Sequence, residues 1–256
     1  MNEEESDETV PLEWEEEYRI DFRHLGPGGR ATLPDLIGLT QETAWRHAEA
    51  MGVGYSRLKS KNLMFALSRE SIDLNHRPSY GDKITIKTWL PGMTRIYFYR
   101  DFLIEDESRG KILEARTTWP CLDTDSRRPR RLDRLSEEFD FPFLEDPATN
   151  DEPRIRELSS HDHRYSTTVR PSDLDVNSHA NNVQYLRWIL NSLPLDFLTS
   201  RELEGFDVKY RAELGCGDEL VIERSELDRT ILHRLIRKDD REVVAMAESV
   251  WSSGND

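Results

Sequence analysis

The sequence predicts an α+β protein built from two copies of one unit, each a long helix laid against an antiparallel sheet. Three observations lead there. A weak repeat runs through the chain in the same order twice, each copy carries one segment of helical spacing, and each helix is followed by long alternating, strand-like runs joined by tight turns.

In the first copy the helical segment covers about 33 to 51, LPDLIGLTQETAWRHAEAM. Gly81-Asp82 then opens the strand-like run KITIKTWL, RIYFYRDFLI follows at 95 to 104, DESRG makes a turn, and ILEARTTW at 112 to 119 closes on Trp119. In the second copy the helix covers about 181 to 193, NNVQYLRWILNSL, with an Asn where an N-cap belongs. Gly217-Asp218 opens ELVIERSEL, RTILHRLI follows at 229 to 236, KDDRE makes the turn, and VVAMAESVW at 243 to 251 closes on Trp251. One long helix wrapped by an antiparallel sheet buries the apolar faces of both elements, so the expected architecture is two tandem hotdog domains. Their expected bounds are an acidic N-terminal tail over 1–14, an N-terminal domain over 15–123, a linker over 124–160 holding Pro129, Pro142, Pro147 and Pro153, and a C-terminal domain over 161–256.

Composition narrows the function. The 256 residues are 36% hydrophobic, enough for two cores, and no run approaches the roughly 20 apolar residues of a membrane span. The opening MNEEESDET lacks the basic and apolar regions of a secretory signal, so a cytoplasmic protein is expected. A formal charge of -15 disfavours nucleic acid as a partner. Cys121 and Cys216 make neither a disulfide framework nor a CxxC metal motif, and no metal or cofactor is expected. Pairing of two chains into a homodimer is left open.

The most informative stretch is 173 to 188, DLDVNSHANNVQYLRW. Asp173, Asp175, Asn177 and His179 recur at every second residue, so an extended backbone would aim them to one side, immediately before a helix N-terminus. An EF-hand calcium loop starts with this Asp-x-Asp-x-Asn spacing but needs Gly at its sixth position and Glu at its twelfth; Ser178 and Gln184 stand there, which excludes it. A passive reading makes these Asx residues turn and cap formers, with His179 a satisfied neighbour. A catalytic reading makes them proton-transfer groups and requires a further acid, for which Glu213 in VKYRAELGCGDEL is the candidate. Aligning Arg23 with Arg170 puts Gly28, Arg30 and Thr32 in the places of Asp175, Asn177 and His179, so only the second copy has ionisable chemistry.

The segment DLDVNSHANNVQYLRWILNSLP resembles the signature of the acyl-ACP thioesterases. The resemblance extends through LTQETAWRHAEAMGVG, FALSRESIDLNHRPSYGDKITIKTW and YRDFLI to the RRPRRL segment at 127 to 132. It implies a tandem hotdog fold and hydrolysis of fatty acyl-ACP to free fatty acid and holo-ACP. The family's Asp-x-Asn-x-His triad falls on Asp175, Asn177 and His179, and its acid falls on Glu213 after Tyr210 and Arg211. Where plastid members have Cys directly after that Glu, this chain has Leu214, which argues against an obligatory cysteine nucleophile.

On this resemblance Glu213 is expected to activate water or attack directly, with His179 shuttling protons, Asn177 positioning the water or polarising the carbonyl, and Asp175 orienting His179. Backbone amides near Asn181 and Asn182 are expected to hold the oxyanion. The acyl pocket is expected in the first domain, lined by Trp45, Met51, Met64, Phe65 and Trp89. The acidic carrier is expected to dock on the dense basic patch of Arg127, Arg128, Arg130, Arg131 and Arg134. The rival functions are an acyl-CoA thioesterase on the same fold and a non-catalytic acyl-binding module.

Overall fold

A computed structural model describes residues 11–135, 139, 141–144 and 155–253. Residues 1–10 of the expected acidic tail, and Pro147 and Pro153 of the expected linker, lie outside the described residues.

The first unit comprises β1 (Glu13–Arg19), α1 (Leu33–Ala50), α2 (Tyr55–Ser60), β2 (Leu63–Phe65), β3 (Arg69–Leu74), β4 (Lys83–Met93), β5 (Tyr97–Asp106) and β6 (Gly110–Asp123), followed by the single turn α3 (Leu132–Leu135). The second comprises β7 (His163–Thr168), α4 (Asn182–Asn191), α5 (Leu195–Ser200), β8 (Leu203–Tyr210), β9 (Glu219–Leu227), β10 (Thr230–Arg237) and β11 (Val243–Trp251). Both long helices begin where the sequence places them. Thr32 caps α1 by accepting from the Asp35 amide at 3.2 Å, with Pro34 in the first turn, and Asn181 caps α4 by accepting from the Val183 amide at 2.9 Å. Removing that second cap with Asn181→Ala is expected to cost about 1 kcal/mol and to lower the melting temperature by about 2–4 °C. An unchanged thermal melt would remove Asn181 from this role.

The two units share one sheet in the order β1-β4-β5-β6-β3-β8-β11-β10-β9-β7, with β2 added against β6. The junction is the antiparallel pair β3–β8, which aligns Arg69 with Lys209 and Ile72 with Phe206. Alternation places Ile84, Ile86, Thr88 and Leu90 of β4 on the buried face. The helices supply the complementary stripes, Leu33, Leu36, Ile37 and Thr40 from α1 and Val183, Leu186 and Ile189 from α4. An Arg187–Asp35 ion pair at 2.6 Å links the two helices. The fold is therefore the expected pair of hotdog units, each a helix against antiparallel strands, with the two sheets continuous. No helix among the described residues is long and apolar enough to cross a membrane.

The repeat is visible in the backbone and corrects the alignment read from the sequence. One-turn 3₁₀ helices at Phe22–His24 and Pro171–Asp173 lead into loops closed by the bridges Leu25–Ala31 and Leu174–Ala180. The Gly26 amide donates to the Arg30 carbonyl at 2.9 Å, as the Asp175 amide does to His179 at 2.8 Å. Left-handed residues coincide as well, Gly29 at φ 73° and Ser178 at φ 62°. Thus Gly26, Gly28 and Arg30, and not Gly28, Arg30 and Thr32, stand in the places of Asp175, Asn177 and His179; Thr32 matches the other cap, Asn181. The chemical asymmetry survives the shift.

Candidate active site

The stretch 173–180 is a closed loop rather than the extended row its alternation suggests. The Asp175 carboxylate accepts from the backbone amides of Asn177 at 2.8 Å and His179 at 3.4 Å, and Ser178 turns the chain through the left-handed region. A short acidic side chain that bonds the amide two residues on makes an Asx turn, which an extended strand cannot accommodate. Asp175 therefore shapes the loop, and its carboxylate is on the backbone rather than on the His179 ring. Asn177 is exposed near the loop tip, and no hydrogen bond joins its side chain to His179 or Glu213 among the described residues.

His179 and Glu213, far apart in sequence, do meet. His179 Nε2 lies 3.6 Å from Glu213 Oε2, with the side chains 31% and 42% exposed, so both groups are reachable from solvent. That distance is about half an ångström beyond a usual hydrogen bond, a gap that a small side-chain rotation closes. The pairing has a backbone cause. The Ala180 amide donates to the Leu214 carbonyl at 2.8 Å, the Tyr185 hydroxyl to the Ala212 carbonyl at 3.1 Å, and Arg237 to the Glu213 carbonyl at 3.3 Å. The first two bonds fasten the segment after β8 to the loop and first turn of α4, and the third ties it to the end of β10.

The matching bond in the first unit runs from the Ala31 amide to the Pro78 carbonyl at 2.8 Å. The residues beside it are Arg30 and Arg77, where the second unit has His179 and Glu213. Two guanidinium groups can neither abstract a proton at neutral pH nor replace an imidazole–carboxylate pair, so of these two matching positions only the second unit's holds an imidazole beside a carboxylate.

Among the helix-start amides expected to hold an oxyanion, most are already engaged. Asn181 donates to the Asp173 carbonyl at 2.8 Å and Val183 to the Asn181 side chain, while no acceptor bonds the Asn182 amide among the described residues. The Asn181 side chain is the helix cap. Leu214, beside Glu213, is fully buried, and Cys216 is exposed in the following turn. Cys121 is buried in the first unit, where burial pushes its thiol up to about 12.

The chain matches the profile of the acyl-ACP thioesterase N-terminal domain over residues 11–139 and that of the C-terminal domain over residues 156–253. It belongs to the acyl-ACP thioesterase family. It is 27% identical, over 95% of its length, to a chloroplastic acyl-[acyl-carrier-protein] hydrolase of Cuphea viscosissima, and 29% identical, over 83%, to a chloroplastic palmitoyl-acyl carrier protein thioesterase of Cuphea hookeriana. The chain spans 63% and 54% of the lengths of those two relatives. The solved 12:0-ACP thioesterase of Umbellularia californica shares the fold at a TM-score of 0.86 and 21% identity, covering 94% of this chain and 98% of that one.

The five residues expected to line an acyl pocket are not together. Trp45 is 46% exposed and stacks on Tyr55, because the buried stripe of α1 runs through Leu36, Ile37, Thr40 and His47 and leaves position 45 outside. Trp89 alternates with buried Thr88 and Leu90 and so is half-buried on the other face of β4. Met51 and Phe65 belong to a second apolar cluster with Leu63, Phe98 and Phe141, in which Phe65 packs edge-on to Phe98 at 5.3 Å. Met64 lies at the rim, its sulfur 3.1 Å from Arg127.

The basic patch also divides. Arg130, Arg131 and Arg134 line a cavity of about 450 Å³ with Lys61, Leu63, Pro129 and Leu135. Arg128 is exposed. Arg127 instead reaches Glu213, with Nη1 3.0 Å from Oε1. That contact was missed in the sequence because nothing local to RRPRRL marks one arginine as different from its neighbours.

Proposed function

We propose that this chain hydrolyses the thioester of fatty acyl-ACP, releasing free fatty acid and holo-ACP, with Glu213 as general base. The approach of His179 to Glu213, at the start of a capped helix in a chain of this family, is the observation that carries the reading. A thioester carbonyl is electrophilic and a thiolate leaves easily, so positioning a nucleophile and stabilising one oxyanion supply most of the catalysis. Glu213 takes a proton from water, the hydroxide adds to the carbonyl carbon, and the developing oxyanion takes the Asn182 amide. Glu213 passes that proton to His179, collapse breaks the C–S bond, and His179 hands the proton to the leaving thiolate. Asp175 supports this indirectly by holding the loop that carries His179.

The acyl chain runs past Met64 toward Phe65 and Met51, whose apolar cluster lies at the end of α1. The carrier, acidic like this chain, docks on Arg128, Arg130, Arg131 and Arg134, since net charge repels and only a local cationic surface attracts. A release assay over acyl-ACP chain lengths, with acyl-CoA of the same lengths alongside, tests the reading. Faster turnover of acyl-ACP is expected, with Arg130→Glu raising KM for acyl-ACP alone. Preference for acyl-CoA would reassign the substrate, and binding without thiol release would make the chain an acyl-binding module.

A further inference from the structure

Arg127 sits apart from the arginines around it, and its surroundings explain why. Its guanidinium donates to Glu213 Oε1 at 3.0 Å and touches the Met64 sulfur at 3.1 Å. We propose that Arg127 is a positioning residue for the Glu213 carboxylate, presented to the second unit by the turn that ends β6. This deepens the reading of Glu213 as the base and rests on it.

The turn is built to present that side chain. Asp123 Oδ1 accepts from both the amide and the hydroxyl of Ser126 at 2.9 Å, bonds that hold its carboxyl below the usual range. The Arg127 amide donates to the Asp123 carbonyl at 2.9 Å, and the Asp123 amide to the Arg128 carbonyl at 3.0 Å. The Thr124 amide donates to the Asn62 carbonyl at 2.9 Å, fastening the turn to the loop before β2. Arg127 itself has φ 57°, a left-handed conformation that side-chain-bearing residues seldom adopt unless their surroundings impose it. Arg128 follows directly and carries the same charge, yet the left-handed residue is the one whose guanidinium meets Glu213.

The consequence is geometric. A carboxylate has two equivalent oxygens and rotates easily; with Oε1 held by Arg127, Oε2 is the oxygen that faces His179 Nε2. Both partners of the ion pair are more than two-fifths exposed, so solvent screens its contribution to stability. Orientation of a reacting group acts on rate even where the bond adds little to stability. Loss of Arg127 should therefore appear in kcat rather than in melting temperature. A docking arginine would show the opposite pattern, a raised KM for acyl-ACP.

The test uses the purified full chain with an acyl-ACP of one length. Arg127→Gln is expected to lower kcat about tenfold, with KM within about twofold and the melting temperature within about 1 °C. Arg127→Lys should recover part of the rate. Guanidinium ion below its denaturing range should restore part of the kcat of Arg127→Ala, which a purely structural residue would not allow. An unchanged kcat, or a loss confined to KM, overturns the proposal. Glu213→Gln, run in parallel, separates the two levels. If it is inactive while Arg127→Gln is wild-type, only the positioning role fails; if it is itself active, the base assignment fails first.

Discussion

Glu213→Gln is expected to lower kcat on acyl-ACP about a thousandfold, within the span typical of lost general-base catalysis. Glutamine keeps the shape of the side chain and an oxygen that can still accept from Arg127, so the change removes basicity and little else. His179→Ala should cost about a hundredfold, because water can partly replace a proton donor to a thiolate that already leaves readily. The two groups lie 3.6 Å apart and serve one proton path, so the double variant should be little slower than Glu213→Gln alone. Melting temperatures should stay near wild type, since both side chains are partly exposed. Near-wild-type turnover by either single variant would sink the assignment.

The second large effect concerns the seam between the units. Glu70, on β3 opposite Val208 of β8, is only 3% exposed. Burial pushes its carboxyl up to about 7, against a partly compensating hydrogen bond from the Tyr210 hydroxyl at 3.5 Å. A raised carboxyl binds its proton more tightly in the folded than in the unfolded chain. Its contribution to stability is therefore complete below about pH 4.5 and is lost as pH rises through about 7. At about 1.4 kcal/mol per unit the loss is on the order of 3 kcal/mol by pH 8.

Glu70→Gln removes the ionisation and keeps a partner for Tyr210. The expected result is a melting temperature at pH 8 at least about 5 °C above wild type, with the two converging near pH 4.5. Parallel pH profiles for the two proteins would refute this account. Two buried histidines act with the opposite sign. Burial lowers His47 to about 4 and His233 to about 3, so their contributions are present above about pH 6.5 and are lost as pH falls through those values. His47 Nδ1 takes a hydrogen bond from Arg100 at 3.1 Å, which leaves Nε2 to donate to the Pro11 carbonyl at 3.2 Å. Glu70→Gln should leave this acid limb as it is in the wild type.

Much of the architecture was legible in the chain because its signals are local. The stripe on α1 and the Asn181 cap follow from spacing and side-chain chemistry within one or two turns. The alternating runs at β4, β9, β10 and β11 follow from the two-residue period of a strand. β1 was harder to read, because EWEEEYR is acidic at most positions and half of it faces solvent at the sheet edge. β3 and β8 carry buried charge and tyrosine at the seam, which blurs their apolar alternation.

The alternation of Asp175, Asn177 and His179 suggested an extended row, and the structure makes the stretch a closed loop. Alternation along a sequence does not distinguish an extended row from an Asx turn whose amides are held by the first acid. By itself, then, the sequence determined the tandem helix-and-sheet plan, the family, and the second unit as the one with ionisable groups. The tertiary structure decided which of those groups meet. Tertiary bonds such as Ala180 to Leu214 bring His179 to Glu213, and a left-handed turn fastened to Asn62 sends Arg127 to the same carboxylate. Both depend on backbone hydrogen bonds between segments far apart in the chain, and those bonds are made by groups common to every residue type but proline, which lacks the N–H.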